Sequence, residues 1–154
     1  MSSQRGFSLV ELIMVIALTG IISAVGMSLF ARSDAFSALT ARDRFIAMGQ
    51  VAQTRALANS GTAAAVSFSV QQTAATFILT VIHNGSVLAS DTLDRQSLTL
   101  SLNGSSLTDG QTETITYAHD ASLSGNYLWQ FTGESTQSLC LTSTGFIHPG
   151  NCQP

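Results

Sequence analysis

Lysine is absent from the 154 residues; six arginines and nine acidic residues leave a formal net charge of -3. Nucleic-acid binding normally needs a clustered basic face. The nearest grouping is Arg42, Arg44 and Arg55, interleaved with Asp43 in a stretch that reads as helix. Such a grouping reads more simply as a solvated helix face, and nucleic acid is not an expected partner. Proline occurs only at Pro149 and Pro154, so no proline breaks a helix or strand before the C-terminal tail. The only cysteines are Cys140 and Cys152, with no CxxC pair, and His83, His119 and His148 are scattered, which argues against zinc. In an oxidising compartment the two cysteines read as one short-range disulfide, closing a loop for about 3 kcal/mol in the chain-entropy model. In the cytosol they read as two free thiols.

Catalytic signatures are missing as well. His119, Asp120 and the many serines have no GxSxG elbow around them, and read as loop residues. Glu113, Asp120 and Glu134 read as surface charges rather than an acid/base pair. No GxxxxGK[ST] phosphate loop occurs. No catalytic residue, metal or cofactor is assigned, and the chain reads as a non-enzyme.

What is present is an uneven apolar excess: 45% hydrophobic against 10% charged residues. Much of it lies between Phe7 and Phe30. Leu12–Ala31 is a run of twenty residues without a charge, and as a helix it spans about 30 Å, the thickness of a bilayer core. A secretory signal peptide has a shorter core and a small-x-small cleavage site, whereas here Arg32-Ser33-Asp34 follows. An anchor fits the length but leaves Glu11 unexplained, because a carboxylate in lipid is kept for a partner or a function. A chain beginning at Phe7 would place an amino group about one helical turn from Glu11. That terminus, on the same chain or a neighbour, could pair with the carboxylate in a low-dielectric surround.

The sequence Gly-Phe-Ser-Leu-Val-Glu-Leu at 6–12 resembles the processing signature of type IV prepilins. The resemblance implies cleavage after Gly6 by a prepilin peptidase, N-methylation of Phe7, and pairing of Glu11 with the Phe7 amine of an adjacent subunit. It further implies a single-pass precursor in the bacterial inner membrane with its C-terminal domain in the periplasm, and a pilus or pseudopilus after assembly. Implied partners are other pilin subunits through the N-terminal helix, an inner-membrane platform protein and a cytoplasmic assembly ATPase. Many major pilins kink this helix with a proline near the position of Ser28; here Gly20 and Gly26 are expected to supply the flexibility, each at about 1 kcal/mol relative to Ala.

Beyond the apolar run, Asp34–Asn59 contains no proline and one glycine. Phe36, Leu39, Phe45, Ile46, Ala52, Ala56 and Leu57 recur at mostly helical spacing, predicting an amphipathic helix ended by Asn-Ser-Gly at 59–61. The period then changes to two. Strands are predicted at 64–70, 75–82, 86–90, 97–102, 113–118, 126–131 and 137–142. Turn signals are Gln-Gln-Thr at 71–73, Asn-Gly at 84–85 and 103–104, Asp-Gly at 109–110 and Ser-Gly-Asn at 124–126. Tyr127, Trp129 and Phe131 alternate onto one face, as core or as an exposed binding patch, with core favoured. The expected fold is α+β and type IV pilin-like: a long N-terminal helix packed on an antiparallel β domain. The expected divisions are a leader at 1–6, a transmembrane and assembly half of the helix at 7–31, an amphipathic half at 32–60, and the β domain with its disulfide region at 61–154. Gly-Phe-Ile-His before Cys152 resembles minor pilins of the mannose-sensitive haemagglutinin (MSHA) pilus; the plan of a helix followed by strands also resembles GspH/FimT-type pseudopilins.

Overall fold

The computed structural model describes residues 8–30, 33–61 and 65–153, with side chains at 8–23, 37–61 and 65–153. The chain divides into two units, Met1–Ser33 and Asp34–Pro154. Helix α1 (Leu9–Phe30) forms the first and runs unbroken through Gly20 and Gly26. Helix α2 (Ser33–Ala58) opens the second. The predicted passage of one helix through 31–32 lies outside the described residues.

Among the described residues nine strands follow: β1 (Val66–Gln72), β2 (Thr76–His83), β3 (Ser86–Asp94), β4 (Thr99–Leu102), β5 (Ser105–Ser106), β6 (Thr112–Tyr117), β7 (Tyr127–Thr132), β8 (Thr136–Leu141) and β9 (Ile147–Pro149). They make two sheets, in the orders β3-β2-β1-β6 and β5-β4-β7-β8-β9, and every pairing is antiparallel. All seven predicted strands are found. The β2–β3 and β4–β5 hairpins turn on Asn84-Gly85 (φ 50° and 77°) and Asn103-Gly104 (φ 50° and 84°). Both central residues of each turn are left-handed, as a two-residue turn matched to strand twist requires. The turn expected at 71–73 is displaced. Gln71 and Gln72 complete β1, Gln72 is buried, and the turn is made by Thr73, whose Oγ1 accepts from the N–H of Thr76 at 2.9 Å.

The buried face of α2 keeps Phe45, Ala52 and Ala56 of the predicted set and otherwise differs from it. Ala38, Ala41, Phe45, Gly49, Ala52 and Ala56 are buried; Leu39 and Ile46 are half-buried, Leu57 is exposed, and the Phe36 side chain lies outside the described residues. The sheets supply the bulk at this contact, so the helix line facing them must be small. A Cβ on Gly49 would stand 2.6 Å from Cδ1 of Ile147 on β9. Phe45 is the exception. Its ring lies 5.1 Å from Phe68 on β1, 5.1 Å from Trp129 and 5.9 Å from Phe131 on β7, so one side chain contacts both sheets. Such tilted and edge-on contacts add about 0.5–1.5 kcal/mol per pair to the burial itself.

Two segments carrying the chain between sheets are tied together. Arg95 (between β3 and β4) pairs with Asp109 (between β5 and β6) and donates to the carbonyls of Thr73 and Leu98, each at 3.1 Å. The Gln72 amide donates to the Leu107 carbonyl at 3.0 Å and to Asp109 at 3.2 Å. These bonds, Gln72 first and Arg95 second, hold the Asp109 pKa below its ordinary 3.8.

Phe45→Ala removes the ring shared by both sheets and is expected to cost about 3–5 kcal/mol, read by chemical denaturation. Because the folded carboxyl is the stronger acid, Asp109 stabilises the fold above its unfolded pKa and ceases to do so as pH falls through the lower folded value. Asp109→Asn should therefore unfold more readily than the parent at neutral pH, and the difference should shrink below pH 3.8. A thermal melt series across pH checks both halves.

Candidate functional site

The first turn of α1 is built by Ser8. The Glu11 N–H reaches the Ser8 carbonyl at 3.0 Å and its Oγ at 3.3 Å, and Leu12 N–H donates to the same carbonyl at 3.2 Å. Ser8 thus caps the helix, with an acidic residue three positions on. That is the spacing of a capping box, and it places negative charge at the positive end of the helix dipole. Glu11 is exposed and, among the described residues, has no ion-pair partner. Gly6 and Phe7 lie outside the described residues.

Past this turn the described part of α1, to Ser23, carries large apolar side chains on every side. Ten large hydrophobic side chains, Leu9 to Ile22, are 51–74% exposed. The hydroxyls among them are satisfied locally: Thr19 donates to the Val15 carbonyl at 2.9 Å and Ser23 to the Thr19 carbonyl at 2.7 Å. Back-bonding of this kind lets a helix carry hydroxyls into surroundings that offer no hydrogen bond. Among the described residues no helix is long and apolar enough to cross a membrane. The expected uncharged span at 12–31 extends past Ser23, where the described α1 side chains end.

Within the second unit, Cys140 on β8 is disulfide-bonded to Cys152, with Cα atoms 5.0 Å apart. The bond fastens the tail beyond β9 to a buried strand. The arginines are not a freely solvated face. Arg42 pairs with Asp43 at 2.8 Å and donates to Gln137 on β8 at 3.0 Å. Arg44 pairs with Asp91 on β3, its Nε at 2.9 Å. Arg55 meets His83 Nδ1 on β2 at 3.3 Å. Each side chain of this group reaches from α2 to a strand. Their common role was hidden in the sequence, since their strand partners lie 28 to 95 residues away.

The other candidates do not converge on a reaction. Asp120 accepts from the hydroxyl and then the N–H of Ser122, which in that order hold its pKa below the ordinary value in a local loop. Glu113 accepts from Gln111 at 2.8 Å, and Glu134 is exposed. Trp129 and Phe131 are fully buried and Tyr127 packs partly against the same core. The exposed aromatic patch around Trp129 is thereby ruled out: side chains facing inward from a central strand form the core.

A family model described as the prokaryotic N-terminal methylation motif matches residues 1–27. No curated protein and no solved structure matches the chain. The matched motif supports a type IV pilin-like prepilin, a structural subunit. Replacing both cysteines by alanine should lower stability by about 3 kcal/mol through loss of the loop constraint. Chemical denaturation of the parent with and without reductant should show a comparable difference.

Proposed function

We propose that this chain is a minor pilin, cleaved after Gly6 by a prepilin peptidase, N-methylated on Phe7, and built into or priming a type IV pilus of the MSHA kind. The observation that carries this reading is an N-terminal methylation motif over 1–27 leading into a helix whose large apolar side chains from Leu9 to Ile22 are all exposed and whose first turn holds one carboxylate. A soluble helix shows one apolar stripe; one that is apolar all round is covered by something else.

Two surroundings would cover it in turn. The precursor sits in the inner membrane through residues 7–31, with 61–154 in the periplasm, an oxidising place suited to the Cys140–Cys152 bond. Assembly then moves α1 from lipid into a bundle of neighbouring helices. Both surroundings are apolar, so transfer gains little from the hydrophobic effect, and packing and charge pairing must supply the preference. Glu11 provides the pairing, with the Phe7 amine of an adjacent subunit. The platform protein and assembly ATPase supply the work.

A second reading, a type II secretion pseudopilin of the GspH type, is favoured by the plan of a helix packed on two antiparallel sheets. A DNA-uptake role is disfavoured, because Arg42, Arg44, Arg55 and Arg95 are all engaged within the fold.

Glu11→Val should be cut and methylated normally, shown by a mature mass beginning at N-methyl-Phe7, yet enter filaments at least about tenfold less often. That corresponds to the loss of ~1.4 kcal/mol of selective pairing. Normal incorporation would overturn the role of Glu11. A strain lacking the gene separates the two machines: lost filaments with intact secretion indicate a pilus, and stranded exoproteins with intact filaments a secretion pseudopilus.

A further inference from the structure

The edges of the two sheets are protected unequally. A free edge presents unpaired backbone groups, and short strands, proline or charge normally blunt it. Among the described residues, β5 has two residues, β9 has three and ends in Pro149, and β6 carries Glu113. Strand β3 is an edge of nine residues. Arg44 closes its far part, pairing with Asp91 and donating to the Thr92 carbonyl at 3.2 Å. Residues 86–90 remain, a stretch without charge in which Val87 and Leu88 are 65% and 47% exposed.

A bulge gives Leu88 a particular place. Ile82 pairs with Val87 and Val81 with Ala89, so Leu88 is the extra residue of β3. With Ala47, Val51, Thr54, Arg55 and Ala58 of α2 it lines a groove of about 440 Å³. Ala47, Val51, Thr54 and Ala58 are all exposed and follow one another at helical spacing, so this flank of α2 is open to a further packing partner. Arg55 marks one end of the groove. Its guanidinium meets His83 Nδ1 at 3.3 Å, and His83 pairs with Ser86 at the start of β3. Arg42, Arg44 and Arg95 each pair with an aspartate, whereas among the described residues Arg55 pairs with no carboxylate.

A second copy of the same stretch, running antiparallel, complements these features. With Leu88 at the centre, residue 86 stands opposite 90 and residue 87 opposite 89. All four are neutral, so no like charges face each other. Asp91 of each copy falls opposite Gly85 of the other, at the end where Arg55 lacks a carboxylate. The two Leu88 side chains meet on the α2 side, and each extends the apolar wall of the other copy's groove.

We propose that two copies of this chain associate through β3, with residues 86–90 pairing antiparallel about Leu88 and the two four-stranded sheets joined into one. The contact lies wholly within the second unit and is independent of the filament reading. It is isologous and closes on itself, whereas a filament grows by head-to-tail contacts, so the dimer is a state of the subunit outside a filament.

The test uses the full chain in detergent, carrying Leu88→Cys. Directly opposite Cα atoms of an antiparallel pair are about 4.5–5.5 Å apart, within the span of a disulfide, and the native cysteines are bonded to each other. Mild oxidation should link Leu88→Cys chains into covalent dimers. Thr116→Cys, exposed on the opposite edge strand β6, should stay monomeric, which separates β3 pairing from chance collision of α1 helices in a micelle. Adding Ser86→Lys with Ser90→Lys to Leu88→Cys sets like charges opposite each other and should cut the cross-link yield at least about tenfold, without lowering the melting temperature. Ser86→Lys with Ser90→Asp sets opposite charges face to face and should restore the yield. Three results would each overturn the proposal: no cross-link at 88, equal cross-linking at 116, or equal yields from the two charge pairs.

Discussion

The contact between Phe45 and the rings of Phe68, Trp129 and Phe131 is the interaction on which the second unit depends. Two sheets that each bury one face must share a core, and here a helix side chain enters where both contribute aromatic bulk. It can do so only because its neighbours along the helix are small. Ala38, Ala41, Gly49, Ala52 and Ala56 bring the backbone of α2 close, and at Gly49 the space for a side chain is already filled by Ile147. The charged residues follow from this arrangement. With the centre line occupied by alanines, the long arginines flank it and reach Gln137, Asp91 and His83 on three different strands. Exposed ion pairs contribute little stability each, about 0–1 kcal/mol, so their larger effect is to fix the position of the helix on the sheets.

The two units use apolar residues in opposite ways. Among the described residues, the buried core runs from Ala38 to Ile147, all within the second unit. In α1 the large hydrophobic side chains described are all exposed, while the backbone and hydroxyls are satisfied within the helix. A segment whose polar groups are internally satisfied and whose apolar groups are not is suited to surroundings that supply van der Waals contact and no hydrogen bonds. Lipid and a bundle of like helices both meet that description.

Much of this was legible because the signals are local. The change of period after Gly61 marks the passage from helix to strand, and Asn-Gly at 84–85 and 103–104 specifies turns by φ alone. Glu11 stands out in the sequence because a carboxylate beside a long apolar run is rare for a physical reason. What was not legible depends on partners distant in sequence. Strand β5 has two residues and β9 three, the latter ending in Pro149, so neither shows an alternating pattern. The buried line of α2 was read in part: Phe45, Ala52 and Ala56 lie on it, but hydrophobicity marks Leu57 and Leu39 above Ala38 and Ala41, whereas the sheets select for size.

The start of α1 links the helix cap to the proposed chemistry. Ser8 already satisfies the Glu11 N–H, so the Glu11 carboxylate is not needed as a hydrogen-bond acceptor for that group. Cleavage after Gly6 would place a cationic amine at Phe7, next to the cap, where the helix dipole is also positive. Two positive potentials would then coincide at one end of the helix, and a single carboxylate one turn inside would have to answer both. In water that imbalance is screened by solvent and salt. In an apolar surround it is not, and a second Glu11, from a neighbour displaced along the helix axis, becomes the natural counter-charge. On this view the position of Glu11 in the first turn sets the axial offset between subunits, because a carboxylate several turns further along would hold its neighbour at a different register.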